Sequence, residues 1–143
     1  MTGSTIEGHR IIGSRVYIPS IDYPQPVNFV QLDINSVRNP YLFFGLSPDD
    51  SWNHRKVLVD ALRIVGLRPF WSRDLAGLPI PSRHGDGYYV RGMGLAVVSF
   101  TSKSVIATDK VVGDYNIGID RSHLEDIVRT KMPHWFLDIK DVF

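Results

Sequence analysis

Residues 41–69 read YLFFGLSPDDSWNHRKVLVDALRIVGLRP, and two periodicities follow one another inside them. YLFFGL (41–46) is a continuous apolar run, the pattern of a strand covered on both faces. From Ser47 onward the apolar residues fall at helical spacing. Val57, Leu58, Ala61, Leu62 and Val65 make one stripe, and Lys56, Asp60 and Arg63 make the opposite one. Ser47 is the expected N-cap, Pro48 suits the first helical position, and Asp49 and Asp50 put negative charge where the first backbone amides point. Gly66 is the expected left-handed stop, Leu67 its hydrophobic follower, and Pro69 bars continuation. RPFWSRD (68–74) has the composition of a short strand. Strand 41–46, helix and strand 68–72 therefore predict a β-α-β unit, parallel and right-handed.

Upstream, VYIPSIDY (16–23) and VNFVQLDI (27–34) alternate apolar and polar residues around Pro24-Gln25-Pro26, the pattern of two strands about a proline turn. Pro19 cannot donate to a ladder, which predicts an edge or a bulge for the first of them. Residues 1–15 hold three glycines and no periodic apolar pattern beyond Ile11-Ile12. They are expected to form a flexible N-terminal arm, with 16–143 as a single globular domain.

Downstream, LAGLPIPSRHGDG (75–87) carries three glycines and two prolines, the composition of an exposed loop. GYYVRGMGLAVVSF (87–100) and KSVIATDKVV (103–112) predict two strands, and Gly92 and Gly94 mark a bulge or a close backbone contact. IGID (117–120) is a further short-strand candidate. Ser122 and Glu125 have capping-box spacing, which places His123 in a helical first turn. Leu124, Ile127 and Val128 give that helix its apolar side, and Pro133 ends it near Met132. WFLDI (135–139) closes the sequence as a strand. The expected fold is α/β or α+β: a single domain with a mixed, largely antiparallel sheet of about six strands, two main helices and one β-α-β unit.

Composition narrows function. The 143 residues are 43% hydrophobic and 22% charged, and no run approaches the roughly 20 apolar residues of a membrane span. MTGSTIEGHR lacks the apolar stretch of a signal peptide, so a soluble protein with no membrane partner is expected. Sixteen basic and fifteen acidic residues are interspersed, for a net charge of +1, which gives no support to nucleic acid as a partner without excluding a folded patch. There is no cysteine for thiolate chemistry or cysteine-ligated zinc.

No catalytic, metal-binding or cofactor residue is assigned. The five histidines show no metal-ligand spacing, no G-x-S-x-G elbow is present, and GLSPDDS (45–51) sets carboxylates where a phosphate cradle needs positive potential. Asp138 and Lys140 share one face of a strand. They are read as the polar decoration of an edge strand, the alternative being a small metal-dependent nuclease or nucleotide hydrolase using Asp114, Asp120, Asp138 and Lys140. VVGDYNIGIDRSHLEDI (111–127) loosely resembles the motif of XPF-type structure-specific nucleases, but Asp120-Arg121-Ser122 stands where that family has glutamate, arginine and lysine.

Aromatic and arginine residues cluster around the 75–87 loop: Trp71, Arg73, Arg83, Tyr88, Tyr89 and Arg91 are the types that dominate protein interfaces. The expected function is therefore a non-enzymatic assembly or interaction subunit that pairs with itself or docks into a larger complex, a virion or another particle. A small-molecule sensor is the third alternative.

Overall fold

A computed structural model describes residues 4–6, 8–20, 24–35, 39–45, 53–67, 88–108 and 117–140. In chain order they form β1 (Ser4–Ile6), β2 (His9–Ile12), β3 (Val16–Pro19), β4 (Gln25–Ile34), β5 (Pro40–Gly45), α1 (Asn53–Ile64), β6 (Tyr88–Ser99), β7 (Ser104–Thr108), α2 (Arg121–Lys131) and β8 (Phe136–Lys140). The eight strands make one mixed sheet in the order β1-β2-β3-β5-β4-β6-β7-β8. Two of its ladders, β3–β5 and β7–β8, are parallel, and the others are antiparallel. The result is a single α+β domain in which helices cover both sheet faces.

β4 shows why. Residues 27–34 are all buried although Asn28, Gln31 and Asp33 lie among them. Val30, Leu32 and Ile34 join the cluster built with Val57, Leu58, Ala61 and Leu62 of α1. Val27 and Phe29, on the opposite face, join Leu124, Ile127 and Val128 of α2. Each larger side chain so enclosed contributes about 1.5–3 kcal/mol. The alternation in VNFVQLDI thus separates two helix-covered faces rather than a wet face from a dry one.

α1 ends as its sequence predicts. Gly66 has φ +83°, its N–H donates to the Arg63 carbonyl at 3.1 Å, and the Leu67 N–H donates to the Leu62 carbonyl at 2.7 Å. That pair of bonds is the Schellman closure, and Leu67 packs back on the α1 cluster. Ser47, Pro48, Asp49 and Asp50, the strand expected at 68–72 and the loop expected at 75–87 lie outside the described residues.

Several expectations are corrected. The described part of the arm is a hairpin, β1–β2, that extends the sheet through β3 and buries Ile11. Its glycines are turn residues: Gly13 and Ser14 have φ +59° and +62°, and the Arg15 N–H reaches the Ile12 carbonyl at 3.2 Å, as in a tight two-residue turn. β3 and β4 are not neighbours, because β5 lies between them. β3 is interior, yet its ladder to β5 spans only Val16 and Tyr17, so the missing N–H of Pro19 falls beyond it. The parallel pair joined by a described helix is β7–α2–β8. Asp120 caps that helix, its Oδ1 accepting the His123 N–H at 3.1 Å, in place of Ser122, whose hydroxyl itself donates to Asp120.

The sheet curls around α2. Four strand spacings would part β2 from the level of β6 by about 19 Å in a flat sheet. The Arg10 guanidinium of β2 nevertheless lies 4.2 Å from the centre of the Phe100 ring, just past β6. Among the described residues no helix is long and apolar enough to cross a membrane.

Candidate functional site

The β4–β6 ladder slips at one point: Gln31 faces Gly92, whereas Leu32 faces Val90. Arg91 is the extra residue of a bulge, which aims its side chain across the sheet end. Gly92 and Gly94 then admit a close approach, the second role predicted for them. A Cβ on Gly92 would stand 2.3 Å from Gln31 Oε1 and 2.7 Å from the Asp120 nitrogen, and one on Gly94 would meet the Phe29 ring at 2.8 Å. The segment leading into α2 is thereby laid directly on β6, with the Met93 N–H bonded to the Gly118 carbonyl at 3.1 Å.

Gln31, fully buried, fastens that segment. Its Oε1 accepts the Asp120 N–H at 3.0 Å and its Nε2 donates to the Asp120 carbonyl at 3.0 Å, so the side-chain amide pairs with a backbone as a strand would. The Asp120 N–H can only donate, which fixes which end of the Gln31 amide is oxygen. Its second N–H therefore donates to His123 Nδ1, 3.0 Å away. His123 then carries its proton on Nε2, which faces Asp33 Oδ1 at 3.4 Å.

Asp33, with a side chain 2% exposed, also has Arg91 Nε 3.6 Å from its Oδ2, and the same Nε is 3.8 Å from Asp120 Oδ2. Asp33, Arg91, Asp120 and His123 line an open cavity of about 380 Å³. Burial pushes the His123 pKa below the ordinary histidine value, outweighing the nearby Asp33 and Asp120 carboxylates, and Arg91 acts in the same direction as burial. Nδ1 of His123 is occupied by the Gln31 N–H and Nε2 carries the proton, so the imidazole offers no free lone pair to a substrate. The group acts as a latch between the α2 N-terminus and the sheet.

The residues singled out from sequence separate. Trp71, Arg73, Arg83 and Asp114 lie outside the described residues. Tyr88 is fully buried in the α1-side core, Tyr89 is half-buried, and Arg91 belongs to the latch. Asp120 is the α2 cap, whereas Asp138 sits on β8 with Lys140 Nζ 3.9 Å away. Among the described residues no group of three or more histidines and carboxylates is placed to hold a metal ion. Gln31 and Asp33 were not singled out, because in an alternating strand they read as the solvent face. The available signal was their place between two apolar segments that demand cover.

Among the described residues β8 is an edge of the sheet, as the Asp138/Lys140 pattern predicted, with β7 on one side only. Phe136 on it is 61% exposed, the most exposed large hydrophobic side chain among the described residues. Between this edge and α2 runs a groove of about 480 Å³ whose lining includes Val128, Leu137 and Ile139, with Glu125 and Arg129 among its charged members. Comparison of the chain with protein-family models, with curated proteins and with solved structures finds no match.

Proposed function

We propose that the protein is a non-enzymatic assembly subunit that self-associates through β8. The observation that carries this reading is the charge order of the open edge. Antiparallel pairing of two copies about a two-fold axis at Ile139 sets Ile139 opposite its own copy, Asp138 opposite Lys140, and Lys140 opposite Asp138. The two in-strand ion pairs, one in each copy, are exchanged for two cross-strand pairs, the backbone groups of the edge gain partners, and Phe136 is available for cover.

Light scattering after size exclusion over a range of concentrations tests it. The wild type is expected to double in mass as concentration rises. Asp138→Lys alone and Lys140→Asp alone each put like charges opposite one another twice. At about 0.2–1 kcal/mol for each cross-strand pair, each change weakens association roughly tenfold. The double exchange Asp138→Lys/Lys140→Asp restores it. A monomer at every concentration, or a double variant no better than the single ones, removes the proposal.

A further inference from the structure

Three separate segments close a cavity of about 240 Å³ on the concave side of the curl: β2 through Arg10 and Ile12, the β6–β7 turn through Phe100 and Lys103, and the α2–β8 turn through Lys131 to Trp135. Among the described residues four basic side chains line it, namely Arg10, Lys103, Lys131 and His134, and no carboxylate does. None of the four forms an ion pair among the described residues, whereas Lys56, Arg63, Arg129 and Lys140 all have carboxylate partners. The interspersed charges of the sequence are thus sorted by the fold into a cationic pocket. Lys131 also suits the C-terminal end of the α2 dipole, but that end does not account for Arg10 on β2 or Lys103 in a turn.

The wall is aromatic. Phe100 and Trp135 meet edge to face at 5.6 Å and 83°, and Arg10 covers one face of Phe100. The turn that carries Lys103 is tied to the start of β8: Lys103 adopts φ +49°, uncommon for a residue with a side chain, and its carbonyl accepts the Phe136 N–H at 2.8 Å. A cavity of about 150 Å³ suffices to enclose benzene. The larger space here has room for one ring and a charged substituent.

We infer that this pocket binds a small organic anion consisting of a single aromatic ring bearing a phosphate or carboxylate. The ring packs on the Phe100/Trp135 wall, and the anion takes charge-assisted hydrogen bonds from Arg10, Lys103 and Lys131. None of the β8 residues Phe136–Lys140 is in the lining of this site.

Calorimetric titration with phenyl phosphate, benzoate, inorganic phosphate and phenol, on the full chain at a concentration where its mass is known, decides the matter. Phenyl phosphate or benzoate is expected to bind saturably with one site per chain. Phosphate alone and phenol alone should bind at least tenfold more weakly. Arg10→Gln and Lys131→Gln should each weaken binding about tenfold, the loss of one charge-assisted contact. Lys56→Gln on α1 should leave it unchanged. In amide–indole correlation spectra the ligand should move one tryptophan indole signal, and that signal should be the one missing in Trp135→Phe. The inference is overturned if neither aromatic anion binds saturably, if phosphate alone binds as tightly as phenyl phosphate, or if the Arg10 and Lys131 variants bind as the wild type does.

Discussion

Replacing Gln31 by Met removes the latch while keeping the length and nearly the volume of a fully buried side chain. Three partners lose their hydrogen bond: the Asp120 N–H, the Asp120 carbonyl and His123 Nδ1, each 3.0 Å from Gln31. A buried group left without a partner costs about 1–3 kcal/mol. Asp120 and His123 border an open cavity from which water reaches part of them, so the lower end of that range applies. The expected loss is about 3 kcal/mol, a large fraction of the roughly 5–15 kcal/mol that holds a domain folded. With a urea slope of about 1–3 kcal/mol per molar, the midpoint should fall by roughly 1–3 M at pH 8. Equilibrium urea unfolding followed by far-ultraviolet circular dichroism gives the number. A loss under about 1 kcal/mol would mean that the α2 N-terminus is held by the apolar core alone, and the latch argument would fail.

Two more outcomes follow from the same geometry. Gly92→Ala should cost about 2–4 kcal/mol, because its Cβ would meet Gln31 Oε1 at 2.3 Å; Gly66→Ala, with open space at its Cβ and only φ +83° to object, should cost about 1 kcal/mol. Urea midpoints of the two variants side by side test the ranking, and equal losses would contradict it. His123 should titrate below the ordinary histidine value of about 6.5. A second proton on Nδ1 would face the Gln31 N–H donor, so the unfolded chain binds that proton more readily than the folded one. The contribution of this group to stability is then complete above pH 6.5 and declines as pH falls from there toward the depressed folded value, by at most about 1.4 kcal/mol per pH unit, with no further loss below it. Proton resonances of the His123 ring followed from pH 8 to 5 check this; a midpoint at or above 6.5 would refute it.

Local grammar was legible in the chain. The α1 stripe and its Gly66-Leu67 closure, the apolar run at β5, the α2 stop before Pro133 and the edge character of β8 all follow from interactions within a few residues of each other. The cap of α2 was misplaced by two residues because Ser122 and Asp120 both suit an N-cap, and Gln31 on a distant strand selects between them by bonding the Asp120 backbone across the space that Gly92 leaves. The N-terminal hairpin was missed for a related reason. Four residues, HRII, are too short for periodicity to register, and their order comes from pairing with β3.

What the amino-acid order determined by itself is therefore the longer elements, both helix stops and the alternation along β4, since propensity, capping and alternation act over one or two turns of chain. Strand order, the burial of Gln31 and Asp33, the Asp33–His123 contact and the gathering of Arg10, Lys103, Lys131 and His134 beside Trp135, without an ion-pair partner among the described residues, were decided only by tertiary structure. Each of them depends on the curl of the sheet around α2, which brings together residues dozens of positions apart through many weak contacts, none of which leaves a mark in any short stretch of sequence.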